Sequence, residues 1–360
     1  MDSLLRKKIE NGDELCPADL KRLLLLENQE DLQILYQAAY KMKLRHIGNK
    51  VSLRGLIEFS NICTKNCYYC GIRKGNHAVQ RYCMTPDEIL AEAETAWKWG
   101  LGSVVLQSGE RSDRDFTDFV EQIVREIKRI SNGELGITLS CGEQSEEVYR
   151  RWFEAGAHRY LLRIEAGDPE FYTTLHPADH SYHDRKQCLK TLKRCGYQTG
   201  SGVMIGLPGQ TVDHLVTDLL FFRELDLDMI GMGPYIIHKD TPLAVQFPDF
   251  QQKTEFQLTA ALKMIAVTRL FLKDVNIAST TALQALRDDG RELGIQAGAN
   301  VIMPNVTDTS FRSSYQLYQG KPGVNDAPES GMTDLKKRLD AIGETILFNT
   351  WGDSPHFRKY

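Results

Sequence analysis

The first 47 residues and the rest of the chain show different hydrophobic patterns. Up to residue 47, apolar residues recur at helical spacing, as in ADLKRLLLLEN and EDLQILYQAAYKMKLRHIG, which predicts helices. From residue 51 onward, short runs rich in β-branched residues alternate with longer amphipathic runs. The sequence therefore predicts an N-terminal helical segment followed by a regularly alternating α/β unit.

Eight of the short runs are predicted to be β-strands, and the runs between them have the periodicity of helices. The strands are expected at 51–60, 103–108, 136–140, 159–165, 199–206, 229–235, 276–280 and 299–304. Strands that alternate with helices lie parallel, because each helix carries the chain back across the sheet. Eight such units over about 250 residues favour a (β/α)8 TIM barrel with an N-terminal helical extension. An open doubly wound sheet is the alternative.

Capping residues support the predicted helices. Thr85 can cap a helix that begins at Pro86, and Glu88 is placed to complete a capping box. Gly100 and Gly196 each follow a helical run, as glycines at helix C-termini do.

Composition and charge exclude several functional classes. The chain is 42% hydrophobic and 26% charged, which is typical of soluble globular proteins. Its net charge is −4, so no strong basic field points to nucleic acid. No run approaches the roughly 18 apolar residues of a membrane helix, and the charged N-terminus does not resemble a secretory signal. We therefore expect a cytoplasmic protein. The predicted organisation is N-terminal helices capping the barrel over 1–50, a barrel over 51–320 and a C-terminal extension with a helix over 321–360. That final helix is predicted over the run MTDLKKRLDAIGETIL, residues 332–347.

Three of the eight cysteines lie in NICTKNCYYCGIR, directly after the first predicted strand. Thiolates such as those of Cys63, Cys67 and Cys70 bind zinc and iron–sulfur clusters. A structural zinc site uses four protein ligands, and no second CxxC or HxxxH follows at the usual distance. Three thiolates on a [4Fe–4S] cluster leave one iron open, so a catalytic cluster is favoured. A redox CxxC pair, zinc with a distant fourth ligand and inert cysteines are the alternatives.

Polar residues also end other predicted strands, where barrel enzymes place their chemistry. Alternation puts Arg163 and Glu165 on one face of the fourth strand, and a charged pair on an apolar strand needs a partner or a ligand. The small residues of Gln107–Glu110 allow the backbone to approach a ligand. Four hydroxyl groups need partners inside a barrel: Thr138, Ser140, Thr280 and Thr281.

The run CTKNCYYC resembles the CxxxCxΦC signature of the radical S-adenosylmethionine (SAM) superfamily, in which Φ is an aromatic residue, here Tyr69. This resemblance implies one [4Fe–4S] cluster on the three cysteines, with SAM on the open iron and cleaved reductively to a 5′-deoxyadenosyl radical. Longer runs resemble the HydE branch, whose members are maturases of [FeFe]-hydrogenase. They include IEFSNICTKNCYYCGIR, VVLQSGE, RYLLRIEAGDPEFY, GLPGQT, ANVIMPN and YQLYQGK. Biotin synthase and methylornithine synthase resemble the chain less closely.

The HydE resemblance implies roles for residues at the strand ends. The residues implied to contact SAM are Tyr69, Gln107, Ser108, Gly109, Glu110, Glu165, Arg185 and Tyr315. The residues implied to line the substrate pocket are Thr138, Ser140, Arg163, Thr280, Thr281 and Tyr318. No cysteine follows YQLYQGK, so we expect no second cluster there.

The resemblance also implies a substrate and partners. The reaction would assemble the di-iron subcluster of the hydrogenase from a cysteine-bound Fe(CO)2CN unit made by HydG. The implied partners are the maturases HydG and HydF and a reduced electron donor, with neither nucleic acid nor membrane. A radical SAM enzyme acting on an amino acid or a thiol is the alternative within enzymes. A third hypothesis is an iron–sulfur or zinc carrier without catalysis.

Overall fold

The computed structural model describes residues 1–250, 254–323 and 328–357. Its helices are α1 (Ser3–Asn11), α2 (Pro17–Leu24), α3 (Gln29–His46), α4 (Pro86–Lys98), α5 (Arg114–Ile130), α6 (Glu146–Glu154), α7 (Pro169–Leu175), α8 (Tyr182–Arg194), α9 (Val212–Glu224), α10 (Pro242–Gln246), α11 (Thr254–Leu272), α12 (Thr281–Leu286), α13 (Gly290–Gln296), α14 (Thr309–Arg312) and α15 (Pro328–Ala341). The predicted capping box of α4 is present, since Thr85 and Glu88 bond each other's backbone N–H groups. None of the described helices is long and apolar enough to cross a membrane.

All described strand pairs between named strands are parallel, as the alternation predicted. The strands are β1 (Lys50–Leu53), β2 (Gly55–Ser60), β3 (Ser103–Ser108), β4 (Gly136–Ser140), β5 (Arg159–Leu161), β6 (Gln198–Ser201), β7 (Met204–Ile205), β8 (Met229–Pro234), β9 (Asn276–Ser279), β10 (Val301–Ile302) and β11 (Thr345–Leu347).

The sheet closes on itself through its first strand. β1 and β2 are one run of chain, interrupted only at Arg54. β2 pairs with β3, the order continues through β4, β5, β6, β8, β9 and β10, and β10 pairs with β1. The run that begins the sheet therefore also completes it. This arrangement confirms the predicted (β/α)8 barrel and excludes the open sheet.

The predicted elements differ from the observed ones in several places: the strand predicted at 199–206 is divided into β6 and β7, and the strand predicted at 299–304 is regular only at Val301–Ile302. The fourth strand was predicted to reach Glu165 but is regular only to Leu161. Glu165 lies beyond its end, with a left-handed φ of +66°, and pairs with Val203 only as an isolated bridge. The final helix was predicted to include ETIL, but α15 ends before Gly343, which has a φ of +78°. The chain then turns and forms β11, which pairs with β1.

The N-terminal helices pack on the outside of the barrel, where α2 contacts α9 and α11, and α3 contacts α11 and α13. The buried ammonium of Lys43 on α3 lies 2.5 Å from the carboxylate of Glu344, just before β11. Tyr40 donates a second hydrogen bond of 2.7 Å to the same carboxylate. The helical extension is therefore fastened to the C-terminal segment.

The C-terminal tail, residues 349–356, covers the amino-terminal end of the barrel. Arg54 and Asn276 each donate a hydrogen bond to the carbonyl of Gly352, at 3.2 and 2.9 Å. Arg159, the first residue of β5, donates to the Trp351 carbonyl and to the Asp353 carboxylate. These donors stand at the starts of strands, so the tail closes the end opposite the cysteine loop. Access to the barrel is left at the carboxyl ends of the strands.

The tail is also held by a histidine between two aspartates. His356 lies 3.0 Å from Asp274 and 2.8 Å from Asp226. The hydrogen bond with Asp274, assisted by Asp226, raises the pKa of His356 to about 8. The tail contact is therefore charge-assisted at neutral pH.

Candidate functional site

The three clustered cysteines lie in the loop that follows β2, at the carboxyl end of the barrel. None of them forms a disulfide, and all three are half-buried. Burial raises the pKa of Cys67 to about 12 and holds the pKa of Cys70 well above its usual value. Repulsion from Cys63 also raises the pKa of Cys67, and repulsion from both of these thiolates raises the pKa of Cys70. The thiols would thus ionise only with a positive centre between them, as a metal cluster supplies.

Two side chains that the sequence analysis did not identify hold this loop in shape. Arg81 donates to the carbonyls of Asn61 and Ile72 at 2.7 Å each, and to those of Arg73 and Asn76 at 2.6 and 3.1 Å. The Asn61 amide donates to two further carbonyls and accepts from a backbone N–H group. One guanidinium therefore binds both flanks of the cysteine loop.

The turn after β3 packs directly on the cysteine loop. A Cβ atom at Gly109 would lie 2.4 Å from the carbonyl of Ile62 and 2.8 Å from the Cβ of Cys63. The backbone N–H of Glu110 donates a hydrogen bond of 3.3 Å to the sulfur of Cys63. The backbone of this turn thus lies in close contact with the cysteine loop, and its predicted approach to a ligand stays a prediction. Ser108 donates to the carbonyl of Gly109 and stabilises the turn.

A half-buried ionic network lies beside the loop and joins two of the residues implied to contact SAM. The Arg185 guanidinium lies 3.2 Å from Glu110 and 3.0 Å from Glu143. The Lys65 ammonium lies 3.3 Å from Glu110 and 3.2 Å from Glu143. Glu143 follows β4 and was not identified from the sequence, although it stands at a strand end. Two cations and two carboxylates thus neutralise one another within the network.

Arg163 and Glu165 form a bidentate ion pair with N···O distances of 2.7 and 2.8 Å. Arg163 also donates to the carbonyls of Gly231 and Val203. The predicted need for a partner on this apolar strand is therefore met within the pair. The left-handed φ of Glu165 is unusual for a residue with a side chain, and such strain is found at functional sites.

Tyr69 and two histidines line the side of the loop that faces α7. The Tyr69 hydroxyl lies 3.1 Å from Nε2 of His176, and Nδ1 of His176 lies 2.9 Å from the Tyr172 carbonyl. His176, His180 and Cys67 offer ligand atoms within 4.8 Å of one another. The HxxxH spacing that is absent near the cysteines is thus present in HPADH, residues 176–180, and the fold brings it to the loop.

Both histidines are neutral at pH 7. Burial lowers the pKa of His176 to about 3 and that of His180 to about 4. Both ring nitrogens of His176 already have hydrogen-bonding partners, so this ring is not free to act as a metal ligand. The arrangement therefore disfavours a zinc site built from the two histidines and Cys67.

The predicted SAM contacts Gln107 and Tyr315 are joined by a hydrogen bond of 3.2 Å from the amide to the phenol. Tyr315 is fully buried, and its carbonyl accepts from Lys321. Lys321 in turn forms a buried ion pair with Glu58 on β2. This contact ties the YQLYQGK segment to the first strand, near the cysteine loop.

The hydroxyl groups predicted to line one pocket are divided between several partners. Thr138 accepts a hydrogen bond of 2.9 Å from Arg159, which also binds the C-terminal tail. Thr281 accepts a hydrogen bond of 2.9 Å from Arg291. Burial raises the pKa of Tyr318, and the nearby Arg291 guanidinium opposes this rise only in part. The hydroxyl of Thr280 is buried and has no hydrogen-bond partner among the described residues.

Ser140 is half-buried at the carboxyl end of β4, in register with Gln107. The predicted substrate residues therefore lie at different depths of the barrel, and their roles stay predictions.

Of the cysteines outside the loop, Cys141, Cys188 and Cys195 are buried or half-buried, whereas Cys16 and Cys83 are exposed.

Comparison with known proteins agrees with this geometry. The family model described as the Radical SAM superfamily matches residues 57–222, which include the cysteine loop, Glu110, Glu165 and Arg185. The [FeFe] hydrogenase maturase subunit HydE of Thermotoga maritima is 45% identical over 324 residues, which is 90% of either chain.

Two solved structures share the fold over nearly the whole chain. Methylornithine synthase is 26% identical with a TM-score of 0.81, covering 96% of this chain and 98% of its own. The FeFe-hydrogenase maturase HydG from Carboxydothermus hydrogenoformans is 20% identical with a TM-score of 0.80, covering 96% of this chain and 79% of its own. The second likeness concerns the fold alone.

Proposed function

Since this chain belongs to the HydE branch of the radical SAM superfamily, whose members cleave SAM, we propose that it acts in maturation of the [FeFe]-hydrogenase active site. Its proposed task is assembly of the di-iron subcluster from a cysteine-bound Fe(CO)2CN precursor. The observation that carries this proposal is the 45% identity to a HydE maturase over 90% of both chains. HydG, HydF and a reduced electron donor are the proposed partners.

The family's cofactors are SAM and a [4Fe–4S] cluster, which the thiolates of Cys63, Cys67 and Cys70 would hold. When bound, the cluster supplies the electron that cleaves SAM. The donor set suits the cluster, because three thiols share one loop and burial disfavours their ionisation in the absence of a metal. We expect one cluster, since no cysteine lies in residues 319–332, part of which falls outside the described residues.

The residues around the loop would then orient SAM. Arg185, which Glu110 and Glu143 hold in place, presents a guanidinium that suits the SAM carboxylate. Glu165 is fixed by Arg163 and would accept hydrogen bonds from SAM. Tyr69, close to Cys67 and Cys70 in the chain, would pack beside the adenine.

The barrel interior would hold the substrate and exclude water. The tail closes the far end of the barrel, so a substrate held beside the cysteine loop would be shielded from water on that side. The unpartnered hydroxyl of Thr280 offers a hydrogen bond there, because a buried hydroxyl without a partner is costly. Arg291, next to Thr281, places a cation beside the same strand end.

Anaerobic reconstitution tests the cluster. We expect absorption at about 400 nm, about four irons per chain and a reduced-state EPR signal that SAM shifts. Reduction with SAM should release 5′-deoxyadenosine. Cys67→Ala should abolish the absorption and the product, whereas Cys188→Ala, outside the loop, should retain both. A colourless protein that holds one zinc ion would refute the radical chemistry.

A maturation assay tests the biological role. Apo-hydrogenase incubated with HydG, HydF, SAM and this protein should gain hydrogen-evolving activity, and omission of this protein should prevent it. The maturase role is rejected if the hydrogenase is fully activated without this protein although the purified protein does cleave SAM. The radical chemistry would then still stand.

The second candidate is a radical SAM enzyme that acts on an amino acid or a thiol. The likeness to methylornithine synthase over 98% of that chain favours it. Product analysis after incubation with small amino acids and thiols distinguishes the two, because only this candidate predicts a rearranged or thiolated small molecule.

A further inference from the structure

We propose that His180 is a positioning residue for the iron–sulfur cluster. In this proposal, His180 donates its Nδ1–H group to the sulfur of Cys67. The inference rests on the cluster proposed for Cys63, Cys67 and Cys70. His180 lies between α7 and α8, far from the cysteine loop in sequence, and is only 6% exposed. Its Nδ1 lies 3.8 Å from the sulfur of Cys67.

The backbone of the cysteine loop determines which ring nitrogen of His180 carries the proton. The N–H group of Asn66 donates to Nε2 of His180 at 3.4 Å, so Nε2 is the acceptor. A neutral imidazole with an acceptor at Nε2 has its proton on Nδ1. That proton points to the sulfur of Cys67, and a single ring thus binds the loop at two adjacent residues.

A stack of rings prevents His180 from turning away. His180 stacks on His176 with centroids 5.5 Å apart, and His176 stacks on Tyr172 with centroids 3.9 Å apart. The Tyr172 carbonyl accepts from Nδ1 of His176, so Nε2 of His176 accepts from the Tyr69 hydroxyl. Tyr69 comes two residues after Cys67, so two neighbouring rings of the stack, His180 and His176, both contact the loop.

An N–H group directed at a cluster thiolate changes the electronic properties of the cluster. The hydrogen bond withdraws electron density from sulfur and stabilises the reduced, more negatively charged state. His180 is therefore expected to make the cluster easier to reduce, without being an iron ligand itself. Fixing of the Cys67 side chain before the cluster binds is the second expected effect.

The test compares three variants of the full chain after anaerobic reconstitution. His180→Leu removes the donor and keeps most of the volume, His180→Gln restores an N–H donor, and His183→Leu is a control at an exposed histidine of α8. Iron content and the SAM-free EPR signal are measured first. The reduced fraction is then followed in a potentiometric titration.

At one fixed potential, the ratio of reduced to oxidised cluster should fall about fivefold in His180→Leu, as expected for loss of one hydrogen bond. His180→Gln should lie near the wild type, and His183→Leu should not differ from it. An unchanged titration in a fully loaded His180→Leu protein overturns the inference, while SAM cleavage by the same protein leaves the proposed function standing. A wild-type chain that forms no cluster rejects the proposed function itself.

Labelling of histidine with ¹⁵N provides a second measurement if His180→Leu loads poorly. The wild-type cluster should show a weak nitrogen coupling in pulsed EPR, as transmitted through a hydrogen bond. A strong coupling, which indicates direct iron–nitrogen ligation, or the absence of any histidine coupling would each overturn the assignment.

Discussion

Replacement of Arg81 by methionine should loosen the cysteine loop while the barrel stays folded. The guanidinium donates to four carbonyls of the loop and its flanks. Methionine has a similar length but no donor, so all four hydrogen bonds are lost. Each contributes about 0.5–1.5 kcal/mol net. Because water can reach part of this half-buried site and such losses are not additive, we expect a total of about 2–4 kcal/mol.

Native-state hydrogen exchange on the cluster-free protein measures this loss. The amides of Gly71, Arg73 and Asn76 donate to carbonyls of the loop or of the YQLYQGK segment, and they report on loop opening. A loss of about 2–4 kcal/mol corresponds to exchange that is about 30 to 1,000 times faster. Amides in β3 and β4 should be unaffected, and iron uptake should fall in parallel.

Arg114→Met provides the control, because the Arg114 side chain is 90% exposed and its ion pair with Asp118 lies on a helix surface. This variant should match the wild type in exchange and in iron content. Loop amides that exchange within twofold of the wild-type rate in Arg81→Met would refute the view that Arg81 holds the loop.

Three further predictions concern other parts of the molecule. Lys43→Met leaves the Glu344 carboxylate buried without its cation, and urea unfolding should show a loss of about 3–5 kcal/mol; an unchanged midpoint would contradict this. Folding raises the pKa of His356 to about 8, so its stabilisation of the tail is complete below about pH 6.5 and is lost as pH rises through 8. Tail proteolysis should accelerate over that range in the wild type and show no such step in His356→Ala. Gly109→Ala should displace the cysteine loop and reduce iron uptake at least ~tenfold, whereas Gly331→Ala, with open space around it, should load normally.

The barrel could be predicted from the sequence because its signals are local. Each strand is a short apolar run, and each helix between strands carries its own period and caps, as at Thr85. The boundaries at Glu165 and before β11 depend instead on backbone conformation and on contacts made in the folded chain. Glu165 is held in the left-handed region by contacts with Arg163 and Val203, which are made only in the folded chain. The pairing of β11 with β1 is likewise a long-range contact.

The candidate site could be predicted only in part, for a related reason. Cys63, Cys67 and Cys70 are close together in sequence, so their spacing was informative without a fold. Glu143 and His180 approach the same loop from separate segments, and the short spacing of HPADH was the only sequence signal for the histidine. Arg81 resembles any surface arginine until the four carbonyls around it are known.

The position of the tail has a consequence for the order of events during synthesis. Residues 345–356 leave the ribosome after strands β1 to β10, yet they supply both a strand beside β1 and the floor of the barrel. A nascent chain that already displays its cysteine loop therefore still has an open lower end, and solvent can reach its interior from both ends. Docking of the tail closes one of them and leaves the end that carries the cysteine loop as the route of entry. The barrel thus becomes a one-sided vessel only when the last residues have been made.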